Sequence, residues 1–343
     1  MESESPARRP IRFVHPHASV LTRVLSLLPP RSQALAACTC RAWRDAADDV
    51  ELRLDVRREV CTYSFRRWLA SARVANRVRA VRWYLSSHSA AFWFPGLTDL
   101  AFEFARMEVR DVWRPASLAM RLPVESLAHL KIHRLTNWHR DARFDVGIFR
   151  GLHRLETLRL AFDDSWAFVA VRGMGALPRL HTLEIRDAPN VLVCGRLRVD
   201  RVKLTYGGDL CWTRHATRHA IEASHLSLHS KHLGLLPLSS CISAATAPQL
   251  RTLELRGPTR GGIPCLRDMT RLETLALAHP TVVLDPGRLP AGLRTLRVDA
   301  RLTLGLGGAG GDWATAAAAF PPGLDAAISV GGAPLQPLPR RPQ

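Results

Sequence analysis

The 343-residue chain is 47% hydrophobic, enough to bury a sizeable core, which excludes a wholly disordered polymer. Its formal net charge is +18, yet only three of its 48 basic residues are lysines (Lys131, Lys203 and Lys231), an arginine excess that a GC-rich coding sequence also produces. A field of that sign favours acidic proteins or nucleic acid as partners and does not choose between them.

Residues 1–13 lack the basic start and apolar core of a secretory leader and are expected to be disordered. Nothing approaches the run of about 20 apolar residues that a spanning helix needs, so no membrane association is expected. Seven cysteines, at 38, 40, 61, 194, 211, 241 and 265, show no paired spacing and read as free thiols of a reducing compartment, cytoplasm or nucleus.

Residues 14–48 have a helical period. Val20, Leu21, Val24, Leu25 and Leu28 recur at helix spacing, and Pro29-Pro30 ends that helix. A second, alanine-rich helix from Ser32 leads to Cys40-Arg41-Ala42-Trp43. This module resembles an F-box, whose pattern is an apolar helix closing on a Leu-Pro pair, here Leu28-Pro29, followed by a helix leading to cysteine and tryptophan. The family usually opens on Leu-Pro and an acidic residue, where this chain has Val14-His15-Pro16-His17-Ala18. The resemblance implies a three-helix module that docks a Skp-type adaptor, and through it a cullin. Exposed apolar residues Leu21, Val24, Leu25, Leu28 and Pro29 would make the contact, with Trp43 packing the module. The competing reading is a private helical cap on the domain that follows.

Beyond the module, Glu51–Val56 reads as an opening strand, and Tyr63–Val74 as a helix with Phe65, Trp68 and Leu69 on one side. Then the chain repeats. The pattern LxxLxL occurs at Leu155-x-x-Leu158-x-Leu160, Leu180-x-x-Leu183-x-Ile185, Leu250-x-x-Leu253-x-Leu255, Leu272-x-x-Leu275-x-Leu277 and Leu293-x-x-Leu296-x-Val298. Weaker copies begin at Val78, Leu97, Leu127, Val199 and Ala223, so that successive copies lie 19 to 30 residues apart. Each copy predicts a short strand, because its last two apolar residues alternate with polar ones. One unit cannot bury its leucines alone, so neighbours must stack. The expected fold is α/β: an irregular leucine-rich-repeat solenoid over residues 49–302, with strands on a concave side and brief helix or coil outside. Residues 303–343, rich in Gly, Ala and Pro, read as a largely disordered tail.

The residues between the buried leucines must face outward, since a slip of one would expose every leucine. They include a row of threonines, Thr157, Thr182, Thr252, Thr274 and Thr295, which β-propensity alone explains. Basic groups dominate the rest, and Arg159, Arg186, Arg201, Lys203, His225, His229, Arg256 and Arg297 are the candidate contacts for an acidic target segment. Cys211, His215 and His219 share the fourfold spacing of helical zinc ligands, but an inter-strand loop explains them better. The glycine run 305–311 lacks the Lys-Ser/Thr of a phosphate loop. No catalytic constellation emerges, so no enzyme activity and no cofactor are expected.

F-box proteins joined to leucine-rich repeats are similar to this whole arrangement. The resemblance implies a substrate receptor of an SCF-type ubiquitin ligase. The alternatives are a repeat scaffold with no ubiquitin role, or a basic nucleic-acid-associated protein. Against the last stand the lack of a recognisable nucleic-acid module and the scarcity of aromatics at outward strand positions.

Overall fold

A computed structural model describes residues 18–28, 32–33, 36, 46, 52–56, 77–85, 94, 96–104, 125–135, 143–162, 168–207, 210–212, 220–230, 242, 247–257, 266–284, 287, 289–306, 320–321, 323–330 and 333–334. The helix expected at Tyr63–Val74 lies outside them, as do Pro29, Cys40, Trp43, His215 and His219.

Among the described residues, α1 (Ala18–Ser26) and helical positions at Ser32, Gln33, Ala36 and Ala46 are followed by nineteen strands. In chain order they are β1 (Leu52–Val56), β2 (Val78–Leu85), β3 (Asp99–Phe104), β4 (His129–Leu135), β5 (Arg143–Asp145), β6 (Thr157–Phe162), β7 (Phe168–Val171), β8 (Thr182–Ala188), β9 (Val191–Val193) and β10 (Arg196–Arg198). Next come β11 (Arg201–Tyr206), β12 (Leu210–Trp212), β13 (Ala220–Glu222), β14 (His225–Ser230), β15 (Thr252–Arg256), β16 (Thr274–Leu284), β17 (Thr295–Leu306), β18 (Asp325–Val330) and β19 (Ala333–Pro334).

The repeat sets the architecture. Thirteen strands form one sheet in the order β1-β2-β3-β4-β6-β8-β11-β14-β15-β16-β17-β18-β19, and every pairing except the last is parallel. All ten sequence copies fall into a single register. The middle apolar residue of each copy pairs with that of the next: Val81, Leu100, Leu130, Leu158, Leu183, Val202, Leu226, Leu253, Leu275 and Leu296. These residues are buried, and most are fully so. Each fully buried leucine contributes about 2 kcal/mol of transfer free energy, so the column strongly fixes which face of each strand turns inward.

The start of each strand is fixed by the backbone. The amides of Thr157, Thr182, Thr252, Thr274 and Thr295 each donate to a carbonyl just ahead of the preceding strand: those of Ala128, Glu156, Ser224, Arg251 and Glu273. The residue before each threonine donates to the same oxygen, so one carbonyl accepts twice at every step.

The outer side, where brief helix or coil was expected, also carries strands. A second parallel sheet, β12-β9-β7-β5, and a two-stranded β10-β13 pair cover it, together with 3₁₀ turns at Val146–Phe149, Met174–Ala176, Ala247–Gln249 and Leu266–Asp268. Among the described residues the connections carry these short strands and turns. Where they are apolar, as in Phe168-Val-Ala-Val171 and Val191-Leu-Val193, they are rich in the β-branched and aromatic residues that favour strands. Phe144 joins the two sides, its ring 5.1 Å from Phe162 edge-on and 6.3 Å from Phe149. Among the described residues the fold is therefore a mostly parallel β-solenoid with little helix.

The boundary expected at residue 302 also moves. β17 runs to Leu306, and β18 extends the sheet inside the segment read as a disordered tail, burying Phe320 and Ile328 in the common core. Pro321-Pro-Gly-Leu324 repeats the turn of Pro290-Ala-Gly-Leu293, with the leucine amide bonded to the proline carbonyl in both. One residue fewer follows the leucine, so Ala326 and Ile328 pair with Leu296 and Val298. The LxxLxL pattern therefore does not match there.

Candidate functional site

Two solvent-facing surfaces come from these elements. The first is the outward face of the thirteen-stranded sheet, where parallel register stacks like positions into rows. One row holds the threonines, in the runs Thr157–Thr182 and Thr252–Thr274–Thr295, interrupted by Arg201 and His225. The next row reads Arg82, Ala101, Lys131, Arg159, Glu184, Lys203, Ser227, Glu254, Ala276, Arg297 and Ala327.

All eight candidate cations lie on this sheet. Arg159, Arg186, Arg201, Lys203, Arg256 and Arg297 are exposed, and His225 and His229 are half-buried. The acidic neighbours change what they offer. Glu184 lies between two arginines with its side chain only 9% exposed. It accepts from Arg186 Nε at 2.7 Å and Nη2 at 2.6 Å, and Arg159 Nε stands 3.5 Å away. Glu254 repeats the arrangement, accepting from Arg256 Nε at 2.8 Å and from the Ser227 hydroxyl at 2.9 Å. Partial burial pushes the Glu254 carboxyl up, but the bonds from Ser227 and Arg256 and the charges of Arg256 and Lys203 outweigh it and hold the group below its ordinary value. Arg159, Arg186 and Arg256 are thus engaged within the sheet. Arg201 has only a 3.8 Å exposed contact with Asp200.

Sequence reasoning did not single out the first strands. Arg82, Asp99, Ala101, His129, Lys131, Thr157 and Arg159 line a shallow groove of about 610 Å³ over β2, β3, β4 and β6. The weak repeats beginning at Val78, Leu97 and Leu127 carry three of these residues at the same repeat position as Arg159, which was the available signal.

The second surface is α1. Leu21 and Leu25 are buried in a small cluster with Ala46, against which Leu28 and Ala36 pack, and Gln33 Nε2 donates to the Leu28 carbonyl at 3.0 Å. Expected as exposed contacts, Leu21 and Leu25 instead form the module's own core. Val24 is exposed, and Val20 and Leu27 stand beside it, also exposed, at i−4 and i+3. Among the described residues the cluster shares no member with the solenoid core.

Three other groupings among the described residues have structural explanations. The Ser224 hydroxyl bonds to the Asp200 carboxylate and lies 2.7 Å from His225 Nδ1. Here the carboxylate holds the serine and not the imidazole, the wrong order for a nucleophilic relay. Arg172 pairs with Asp145, which also caps the 3₁₀ turn at Val146. Burial raises the nearby Cys194 thiol, against activation as a nucleophile. Among the described residues no group of three His, Cys, Asp or Glu could hold a metal, and no helix is long and apolar enough to cross a membrane.

The fold and these surfaces define a repeating parallel β-solenoid with a polar, laddered face, preceded by a small helical module with its own core. The module's kind is given by comparison: residues 18–56 match the F-box-like family. No curated protein and no solved structure matches the chain. The chain thus carries an F-box-like domain at its N-terminal end, followed by a parallel β-solenoid.

Proposed function

We propose that this protein is a substrate-recognition subunit of an SCF-type ubiquitin ligase. The F-box-like domain docks a Skp-type adaptor and through it a cullin, and the solenoid, read as leucine-rich repeats, binds a target protein on its laddered sheet face. The observation that carries this reading is the F-box-like match at residues 18–56 directly ahead of a repeat domain. Such subunits recruit and do not catalyse, so no chemical step or cofactor is assigned to the chain. Its place of action is the cytoplasm or the nucleus.

Two features support the ligase reading over a private cap. Among the described residues the α1 cluster has no member in the solenoid core, whereas a cap would share it. And α1 leaves Val20, Val24 and Leu27 exposed along one side, as an adaptor contact requires. Of the residues the sequence suggested, Val24 fits direct contact, while Leu21 and Leu25 act by holding the helix in place.

The test is capture of the full chain by an immobilised, purified Skp-type adaptor. Val24→Asp with Leu27→Asp alters only exposed positions, so its thermal melt should match the parent while capture is lost. Retained capture by that variant, or none by the parent, overturns the reading and leaves a repeat scaffold.

A further inference from the structure

The tight turns that lead into the strands of the long sheet repeat one hydrogen bond. The amides of Leu97, Leu155, Leu180, Leu250, Leu272, Leu293 and Leu324 each donate to the carbonyl three residues earlier. The residue just before that leucine therefore recurs at one place on successive coils. It is Arg154 ahead of β6 and Arg179 ahead of β8, two strands that pair directly. In the other five turns it is Gly96, Gln249, Arg271, Gly292 or Gly323, so Arg271 has no basic neighbour in its row. Paired strands lie about 4.8 Å apart, so Arg154 and Arg179 project from adjoining turns. A third arginine joins them. The amides of Leu152 and Leu177 close the preceding turns in the same way, onto Phe149 and Met174, which sets Arg150 opposite Gly175. Arg150, Arg154 and Arg179 are exposed and form no ion pair among the described residues. Asp145 and Glu156, which precede and follow the first of these turns, are engaged by Arg172 and His181. A Cβ at Gly151 or Gly175 would meet no atom within 4 Å, so the surface beside Arg150 is open.

We infer that Arg150, Arg154 and Arg179 form a binding site for a phosphate monoester carried on a side chain of a partner protein. Three like charges on two adjoining coils repel one another unless an anion lies among them. A phosphate monoester brings about two negative charges and three strong acceptor oxygens, enough to engage more than one guanidinium at once. A carboxylate brings one charge and two oxygens, which a single guanidinium fork fills. A phosphodiester of a nucleic-acid strand likewise brings one charge. All three basic groups are arginines, whose planar forks match phosphate oxygens in a way that the point charge of a lysine does not. His153, exposed in the same turn as Arg154, places a further polar side chain at the border of the site. The site lies on the entry turns and not on the outward rows of the sheet. It therefore stands apart from the reading of the sheet face as the target-binding surface.

The test is fluorescence anisotropy on the full chain with a fluorescein-labelled glycine peptide carrying one central phosphoserine. Its serine and aspartate counterparts and an eight-nucleotide oligouridine are the comparisons. The phosphoserine peptide should bind at least about tenfold tighter than any of the three. Arg154→Gln and Arg179→Gln should each weaken that binding at least about fivefold, since each removes a charge-assisted contact. Gly175→Glu should do the same from the other direction, because it sets a carboxylate opposite Arg150 where no atom stands in the way. Arg271→Gln removes the same charge from the same turn position on another coil and should cost less than about twofold. All four positions are exposed, so the thermal melts should match the parent. Equal losses for Arg154→Gln and Arg271→Gln, or unchanged binding by Gly175→Glu, would overturn the inference. So would an aspartate peptide or an oligouridine that binds as tightly as the phosphoserine peptide, or no binding of the phosphoserine peptide at all.

Discussion

The pair Glu184–Arg186 makes a prediction in which the two partners behave oppositely. The carboxylate is 9% exposed and the guanidinium 50%, joined by bonds of 2.6 and 2.7 Å. Replacing Arg186 by Met leaves a buried carboxylate whose remaining ion pair, with Arg159, is 3.5 Å long. An unpaired buried charge costs several kcal/mol when fully enclosed, and discounting for the half-exposed surroundings gives about 2 kcal/mol here. Replacing Glu184 by Met leaves two arginines that water can solvate and puts an apolar group in a site of similar volume. That change should fall within about 1 kcal/mol of the parent. Urea denaturation is the appropriate assay, because guanidinium chloride would screen the charges being measured. If Glu184→Met costs more than Arg186→Met, the carboxylate is being held by its bonds rather than tolerated for them, and the reasoning fails.

Three further outcomes follow from particular geometry. Gly257 has φ +115°, and a Cβ there would lie 2.8 Å from the Ser230 carbonyl, so Gly257→Ala should lower stability by about 2 kcal/mol in the same urea assay. The Glu254 carboxyl is held below its ordinary value in the fold, so the stability it contributes is present above the unfolded carboxylate value of about 4.3 and is lost as pH falls through the lower folded value. Glu254→Gln should therefore show a shallower loss of melting temperature below about pH 4.3 than the parent, and parallel curves would refute the assignment. Removing residues 307–343 strips β18 from β17 and exposes the edge beside Leu296 and Val298. It should lower the melting temperature and promote aggregation seen by light scattering, whereas a dispensable tail would change neither.

The long sheet was legible because its signal is redundant: ten copies of a six-residue pattern all put leucines or their equivalents on one side, and parallel pairing then needs only a common register. The outer strands were not, since Arg143–Asp145 and Val191–Val193 are three residues each, shorter than any period can reveal. α1 failed in a different way. Its apolar residues cover more than one side of the helix, so spacing alone could not say that Leu21 and Leu25 turn inward while Val20, Val24 and Leu27 turn out. The ion pairs were half visible. Glu184-Ile-Arg186 and Glu254-Leu-Arg256 are neighbours on one strand side two residues apart, readable from alternation. The approach of Arg159 to Glu184 needed the register between β6 and β8.

That register also changes what the net charge of +18 means. Averaged over the chain, it suggests a uniformly positive surface that would attract any polyanion. On the middle strands of the sheet face two carboxylates sit where each engages a neighbouring arginine: Glu184 with Arg159 and Arg186, Glu254 with Arg256. The middle of the array is thereby closer to neutral than its composition implies. Non-specific polyanion binding depends on the sum of charges, whereas a chosen segment depends on their spacing. The placement of two glutamates therefore turns part of a charge excess of no selectivity into ion pairs of fixed spacing on the sheet face.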